Sequence, residues 1–431
     1  MAEETLDRKG RPAVAVTGLG IVTSLGQGVA ENWAALTAGR SGIKRITRFP
    51  TEGLRSQVAG CVDLPLSQPY SAYEMSLALA RAVADEALAQ SGIERAGGFP
   101  GPLFIATPPS ELEWPALQSL YAAAPQVGKG DVYRALAAAA RAPERATFMS
   151  LAPHVRFVAI ADMLADELGT RGLPVSICTA CASGVSAIQL GLEAIRRGET
   201  GAALCMGVDA TVHPEGLVRF QLLSALSTHN DPPEKASRPF AKSRNGFVIA
   251  EGAAALVLES YAAAKSRGAR ILGFVRGCGE RADLFHRTRS KPDGSAIIGA
   301  IASALDDAAT LPDEIDYVNA HGTGTLENDK MECLALAAVL GERVHHVPVS
   351  SNKSMTGHTL IAAGAVESVF SLMTILTGTL PPTMNCEDQD PAIPLDVVAG
   401  VKRDAHVTTV LKNAFGFGGQ NVCAVFSSSP A

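Results

Sequence analysis

The stretch Val175-Ser-Ile-Cys-Thr-Ala-Cys-Ala-Ser-Gly184 decides how the rest of this chain is read. An apolar, β-branched run begins after Pro174 and ends at Thr179-Ala-Cys181. An Ala-, Leu- and Ile-rich helical pattern follows at once and continues to about Arg197. Cys181 therefore falls at a strand-to-helix turn, where free amide groups and the helix dipole favour a thiolate over a thiol. Ala182, Ser183 and Gly184 are small enough for a thioester to approach the sulfur. The stretch reads as a nucleophile turn in an α/β protein, with two distant histidines serving the sulfur.

Outward from this turn, strand and helix patterns alternate. On its N-terminal side, 13–22 (Ala-Val-Ala-Val-Thr-Gly-Leu-Gly-Ile-Val) reads as a short buried strand running into a Gly-rich turn. Its glycines do not have G-x-G-x-x-G spacing, and no acidic residue ends a second strand, so a dinucleotide loop is not expected. Helical patterns cover 30–38 and 76–91, a strand covers 103–107, and Ala159–Leu168 reads as a helix. Beyond the turn come a strand at 202–210, a long loop at 226–252, a strand at 253–258 and a short helix at 262–267. The same grammar then recurs: strands at 271–277, 315–320, 347–351, 408–411 and 421–427, with helices at 296–308, 329–340 and 364–376. The expected fold class is α/β, built as two similar layered units, 11–260 and 268–428. A helical excursion over about 106–156 caps the first.

Composition narrows the function classes. A chain of 431 residues is long enough for two cores, and 47% hydrophobic against 19% charged residues suits a compact enzyme. A net charge of −6 carries no nucleic-acid footprint. Residues 1–12 lack an apolar core, and no uncharged run reaches the roughly 18–20 residues that cross a bilayer. The eight scattered cysteines read as reduced thiols, so a cytoplasmic location without a membrane span is expected. Cys178 and Cys181 form a C-x-x-C, but no second pair or nearby histidine completes a zinc set, and Cys178 is expected to pack. His345-His346 reads as a surface pair.

Three further stretches combine reactive side chains with glycines, each after an expected strand: Asn319-Ala-His-Gly-Thr-Gly-Thr325, Ser351-Asn-Lys-Ser-Met-Thr-Gly-His358 and Asn413-Ala-Phe-Gly-Phe-Gly-Gly-Gln-Asn421. Such positions gather at one sheet edge, where α/β proteins place their sites. Together with Thr179-Ala-Cys-Ala-Ser-Gly184, and with Ser237-Arg-Pro-Phe240 and Gly246-Phe-Val248 between them, the ordered set resembles the β-ketoacyl-acyl-carrier-protein synthases. These are the elongating condensing enzymes of fatty acid and polyketide synthesis, and the likeness covers residues 13 to 427. It implies the thiolase-like fold: two fused α-β-α-β-α halves forming a five-layered core, normally a homodimer.

The resemblance also implies roles. Cys181 would hold the acyl group as a thioester. His321 and His358 would donate N–H bonds to the enolate left when a malonyl thioester loses CO2. Lys353, paired with Glu367, would set the local field, and Asp329 would support the site. The amides of Cys181 and Phe415 would form the oxyanion hole, with Phe415 and Phe417 gating the acyl pocket. Thr323 and Thr325 would bind the pantetheine arm, and Phe220 and Pro109 would line the acyl pocket. No cofactor is implied, because both substrates arrive on the phosphopantetheine of an acyl carrier protein, the expected partner. Asn319, Glu367 and Asn421 match positions that hold a monovalent cation in some relatives. Lys412 stands nearby in place of a small polar residue, with an ammonium able to replace the ion, and no metal is assigned.

The chain departs from the family at Ala106-Thr-Pro-Pro-Ser110, where relatives show a Gly-rich turn, and keeps little of their pattern over 110–156. Two-carbon extension of a fatty acyl chain of specialised length or chemistry is the expectation. Its alternatives are a polyketide-type ketosynthase, a chain-length or decarboxylating subunit, or a non-enzymatic carrier-binding partner. Relatives without condensing activity usually replace the cysteine that this chain retains.

Overall fold

Side chains on the long central strands alternate between two apolar faces, so each strand must be covered on both sides. Leu103, Ile105, Leu204 and Met206 enter one cluster, whereas Phe104, Ala106, Ala203 and Cys205 enter another. In this computed structural model residues 5–66, 71–93, 98–109, 112–123, 127, 128, 130–141, 146, 149, 152–154 and 156–430 are described. The first half contributes β1 (Val14–Thr23), β2 (Leu103–Ala106), β3 (Val175–Ile177), β4 (Ala202–Asp209) and β5 (Gly252–Ser260). The second contributes β6 (Gly273–Ala282), β7 (Tyr317–Asn319), β8 (Pro348–Ser350), β9 (Asp396–Val397), β10 (Thr409–Phe415) and β11 (Gln420–Ser427).

These strands form one sheet in the order β9-β8-β7-β10-β11-β6-β1-β5-β4-β2-β3, with the short strand Gly26–Gln27 added on β1. The two halves meet where β1 and β6 pair antiparallel, Val14 opposite Val275. Outward from that seam the same pattern occurs twice. β1, β5 and β4 are antiparallel, then β4, β2 and β3 parallel; β6, β11 and β10 are antiparallel, then β10, β7 and β8 parallel. β9, a short extra edge strand, was not legible in the sequence.

Helices complete five layers. α1 (Ala72–Ser91) and α2 (Ala159–Leu168) cover the outer face of the first half. α4 (Ser295–Asp307) and α5 (Leu326–Leu340) cover the outer face of the second. Between the two halves of the sheet lie α3 (Ser183–Arg196) and α6 (Ala363–Thr377). The stretch Leu360–Thr377 is long and apolar enough to cross a membrane, but 78% of it is buried within the protein. α1 starts four residues before the expected 76 because Ser71 and Glu74 form a reciprocal capping box.

Glycine decides two close approaches. Gly18 and Gly20 do not form the expected turn; β1 runs straight through them. A Cβ at Gly18 would lie 2.1 Å from the Ala87 carbonyl oxygen, and one at Gly20 would lie 2.0 Å from that of Val83. These glycines let α1 lie directly on the strand. In the middle layer, a Cβ at Gly184 would lie 2.3 Å from the Ala365 nitrogen, and one at Gly364 would lie 2.5 Å from the Val185 nitrogen. α3 and α6 therefore cross at their first turns, which draws the segments preceding them, Cys181 and His358, to one place.

Within the expected cap region, Trp114–Ala123 and Val132–Arg141 are helices sharing a small core around Leu120 and Ala135. Parts of 110–155 lie outside the described residues.

Candidate active site

Cys181 follows Ala180, whose φ of +49° makes a sharp and strained turn between β3 and α3. His321 leaves the end of β7, and His358 follows β8 after the short helix Lys353–Thr356. The backbone of His358 is clamped to the long loop, its N–H donating to the Val248 carbonyl at 2.7 Å and its carbonyl accepting from Ala250 at 2.9 Å. The reactive atoms of Cys181, His321 and His358 lie within 4.8 Å of one another. His358 Nε2 is 3.2 Å from the Cys181 sulfur, and the imidazoles stand edge to face with centroids 5.3 Å apart.

The tautomer of His358 follows from its partners. Its Nδ1 accepts the Leu360 N–H at 3.3 Å, so in the neutral ring Nε2 carries the proton and points it at the sulfur. Burial, reinforced by Lys353 and Lys412, holds His358 well below the usual histidine range; His321 is lowered by the same causes and by His358. Both rings are neutral N–H donors at physiological pH.

Burial also overturns the expected thiolate. Desolvation pushes the Cys181 thiol up to about 12, against the opposing influence of Lys353 and the Phe417 amide.

A buried charge system lies behind the histidines. Lys353 Nζ donates to the His321 carbonyl at 2.7 Å and to one oxygen of Glu367. Lys412 Nζ lies 2.8 Å from the other Glu367 oxygen and donates to the Asn413 carbonyl. Asn319 Nδ2 donates to Asn352 Oδ1 at 2.8 Å and to the Glu367 carbonyl at 3.3 Å. The Lys412 ammonium thus occupies the carboxylate where the family likeness would put a cation. Asn421 does not join this group: its amide binds the Arg281 and Gly419 carbonyls at the cleft mouth. Cys181, His321 and His358 are also a zinc-type donor set, but the field of two lysines opposes a further cation there.

Other expected residues divide. Thr323, Thr325 and Phe220 line the Cys181 cleft, which encloses about 660 Å³ including its mouth. Thr323 and Thr325 share a hydroxyl bond of 2.9 Å, and Thr325 caps α5. Asp329 does not touch the cleft; its carboxylate accepts the Phe240 and Gly324 amides at 2.8 and 3.2 Å and so supports the His-Gly-Thr loop. Phe415 ends β10 opposite Asn421 with its ring 5.7 Å from His321. The backbone amide that reaches the Cys181 sulfur belongs to Phe417, the second of the two expected gate residues. Two residues along, past Gly416, the chain has left the ladder and its N–H is free to turn inward. Pro109 lies in a different hollow, because the chain leaving β2 turns toward α1. Cys178 is exposed rather than packed.

Three features went unread in the sequence. Glu332 accepts the His321 and Gly322 amides, both at 2.8 Å, and Asn413 Nδ2 at 3.0 Å. An acid set among Met331, Cys333, Ala335 and Leu336 on α5 was the available signal. Phe247 sets its ring edge to face against His358 at 5.2 Å. The basic segment containing Arg287 and Arg289 borders the cleft mouth, and the Arg287 carbonyl accepts the Gly418 N–H at 2.7 Å.

Residues 11–264 match the family model for the beta-ketoacyl synthase N-terminal domain, and residues 272–387 that for its C-terminal domain. The chain belongs to the beta-ketoacyl synthase family. It is 37% identical over 428 residues to the tetracenomycin polyketide synthase ketoacyl synthase alpha subunit of Streptomyces glaucescens, covering 98% of each chain. It is 36% identical to 3-oxoacyl-[acyl-carrier-protein] synthase 2 of Coxiella burnetii, over 96% of this chain and 98% of that one. Among solved structures, a ketosynthase from a type II polyketide complex with its acyl-carrier protein superposes with a TM-score of 0.85 at 31% identity, covering 97% of this chain and all of that one. A beta-ketoacyl synthase from Burkholderia phymatum gives 0.79 at 32% identity, covering 97% and 99%. These ketosynthases share the thiolase-like fold, and the family's members are acyltransferases.

Proposed function

We propose that this ketosynthase condenses a malonyl thioester with an acyl group held on Cys181, both delivered by an acyl carrier protein. The convergence of Cys181, His321 and His358 over the Lys353–Glu367 pair carries this reading. In the first step the Cys181 sulfur attacks the acyl thioester, and its proton passes to the departing pantetheine sulfur. The Phe417 and Cys181 amides stabilise the oxyanion, with a dry site strengthening each bond.

In the second step the malonyl C–C bond breaks, CO2 leaves and the electron pair becomes an enolate. His358 Nε2–H and the His321 ring stabilise its oxygen; as neutral donors they need lose no proton. The enolate carbon attacks the acyl-Cys181 carbonyl, the C–S bond breaks, and the released thiolate takes a proton from water. Raising the thiol's basicity makes that thiolate ready to be protonated, so the enzyme returns to the state in which it began.

A homodimer fits the geometry. β3, which leads directly into Cys181, is an edge strand with Leu173 89% exposed beside it. On this reading Thr323 and Thr325, which line the cleft, bind the pantetheine arm. The test is intact-protein mass spectrometry after mixing with acyl-loaded carrier: an acyl adduct on Cys181, absent from Cys181→Ala, is expected. No adduct would remove the ketosynthase reading.

A further inference from the structure

Asp209 ends β4 and is buried against the segment that follows His358. The period of the strand turns Gly207 and Asp209 to the same face. A Cβ at Gly207 would lie 3.2 Å from the Ala362 Cα and 3.1 Å from the Ala365 Cβ, so β4 lies directly on that segment. One Asp209 carboxylate oxygen accepts the Thr211 amide and hydroxyl at 2.9 and 2.6 Å. The other accepts the Ile361 N–H at 3.2 Å. Burial raises this carboxyl to about 6, so at neutral pH it is a carboxylate. Among the described residues it has no ion pair, and a buried charge held only by neutral donors is a costly arrangement.

Ile361 adjoins a strained turn. Leu360 has a φ of +45°, a left-handed conformation that a bulky side chain seldom adopts. That conformation brings the Leu360 N–H to His358 Nδ1 at 3.3 Å. The Leu360 and Ile361 amides flank this one residue, so holding the second fixes the first. The backbone of His358 is tied separately, to Val248 and Ala250. Those bonds do not decide which ring nitrogen carries the proton. The Leu360 N–H does, by occupying Nδ1 and leaving the proton on Nε2, 3.2 Å from the Cys181 sulfur.

We propose that Asp209 is a positioning residue for the condensation: its hold on the Ile361 N–H keeps the Leu360 turn closed, and the turn keeps His358 in the tautomer that serves the enolate. The inference rests on the ketosynthase reading and deepens it. The role requires a carboxylate, because an asparagine of the same shape offers one acceptor and one donor. Its NH2 would face an N–H at 2.9 Å on the Thr211 side, or one at 3.2 Å on the Ile361 side. The second clash is milder, and the Thr211 hydroxyl also favours the amide oxygen. Asp209→Asn therefore keeps the Thr211 side and breaks the Ile361 side. After burial, the Asp209 charge is among the influences that push the Cys181 thiol up, so its removal does not hinder attack by that sulfur.

The experiment follows two half-reactions of the full chain. One is CO2 release from malonyl-carrier protein. The other is acyl transfer to Cys181, followed by intact-protein mass spectrometry, from whichever of octanoyl-, decanoyl- and dodecanoyl-carrier protein the natural enzyme takes fastest. Asp209→Asn is expected to lower CO2 release about 10- to 100-fold, chiefly in kcat, with acyl transfer within about threefold of the natural rate. Thr211→Val, which removes one bond from the other carboxylate oxygen, is expected to keep CO2 release within about twofold. Nuclear magnetic resonance of protein labelled with heavy nitrogen in histidine reads the tautomer directly. The His358 signals, identified by their loss in His358→Gln, should pass from the single Nε2–H form to a mixture in Asp209→Asn. Full CO2 release or an unchanged tautomer in Asp209→Asn overturns the inference. So does a parallel loss of both half-reactions, or an equal loss in Thr211→Val. A fall in melting temperature beyond about 3 °C, or failure to fold, would make Asp209 a residue of the fold and also sink the proposal. Absence of both CO2 release and adduct in the natural enzyme overturns the ketosynthase reading itself.

Discussion

Replacing Lys412 by serine tests the internal ammonium directly. Lys412 and Lys353 each hold one oxygen of Glu367, and all three side chains are at most 3% exposed. Losing one partner of a buried pair costs about 3–5 kcal/mol; here Lys353 still neutralises Glu367, so the lower end, about 3 kcal/mol, applies. An unfolding entropy of about 2.1 cal/mol/K per residue gives roughly 0.9 kcal/mol/K for this chain, so the melting temperature should fall by about 3 °C. The electrostatic sign is equally definite. Lys412 lowers the basicity of Lys353, His321 and His358. Its removal raises all three, so the acid limb of the condensation rate, where the imidazoles become protonated, should move to higher pH. Melting curves and pH–rate profiles are measured in sodium, potassium and choline chloride at equal ionic strength. The natural enzyme should not distinguish these salts, whereas Lys412→Ser should regain stability in sodium or potassium but not in choline. A variant that melts unchanged in choline, with an unmoved acid limb, would refute the role assigned to Lys412.

Cys181→Ala should abolish condensation yet leave malonyl decarboxylation measurable as CO2 release, whereas His358→Ala should remove both. Glu332→Gln should lower decarboxylation about 10- to 100-fold while Cys181 still acylates, because one amide oxygen cannot hold both the His321 and Gly322 N–H groups. Acylation falling in parallel would make Glu332 merely structural. Gly20→Ala should abolish soluble expression, since its Cβ would meet the Val83 carbonyl, while Gly53→Ala, with open space around it, should fold with a loss of about 1 kcal/mol. Finally, the buried imidazoles have folded pKa values below the unfolded value of about 6.5. Their contribution to stability is complete above that pH and is lost as pH falls below it. In urea titrations, His321→Gln/His358→Gln should therefore lose less stability than the natural enzyme between about pH 6.5 and 5.

Several features were legible because they depend on neighbours in sequence. The turn at Cys181 combines a β-branched run, a small-residue elbow and a helical period, and the structure places strand, strained Ala180 and helix in that order. α2 has the expected limits, Ala159–Leu168, because its apolar positions recur at helical spacing. The pairing of Lys353 with Glu367 was expected from the family likeness and is present. By contrast, Gly18 and Gly20 look like a turn to any local reading, since the helix that demands them lies more than sixty residues away. Phe415 and Phe417 stand in the same repeat, and only the end of β10 decides which amide turns toward the sulfur.

The sequence by itself determined the layered α/β class, the nucleophile and the two histidines, because periodicity and reactive residue types are local properties. Only the tertiary structure decided the state of those groups. Whether Cys181 is a thiol depends on how much water its sulfur loses, and whether Lys412 replaces an ion depends on where Glu367 is brought.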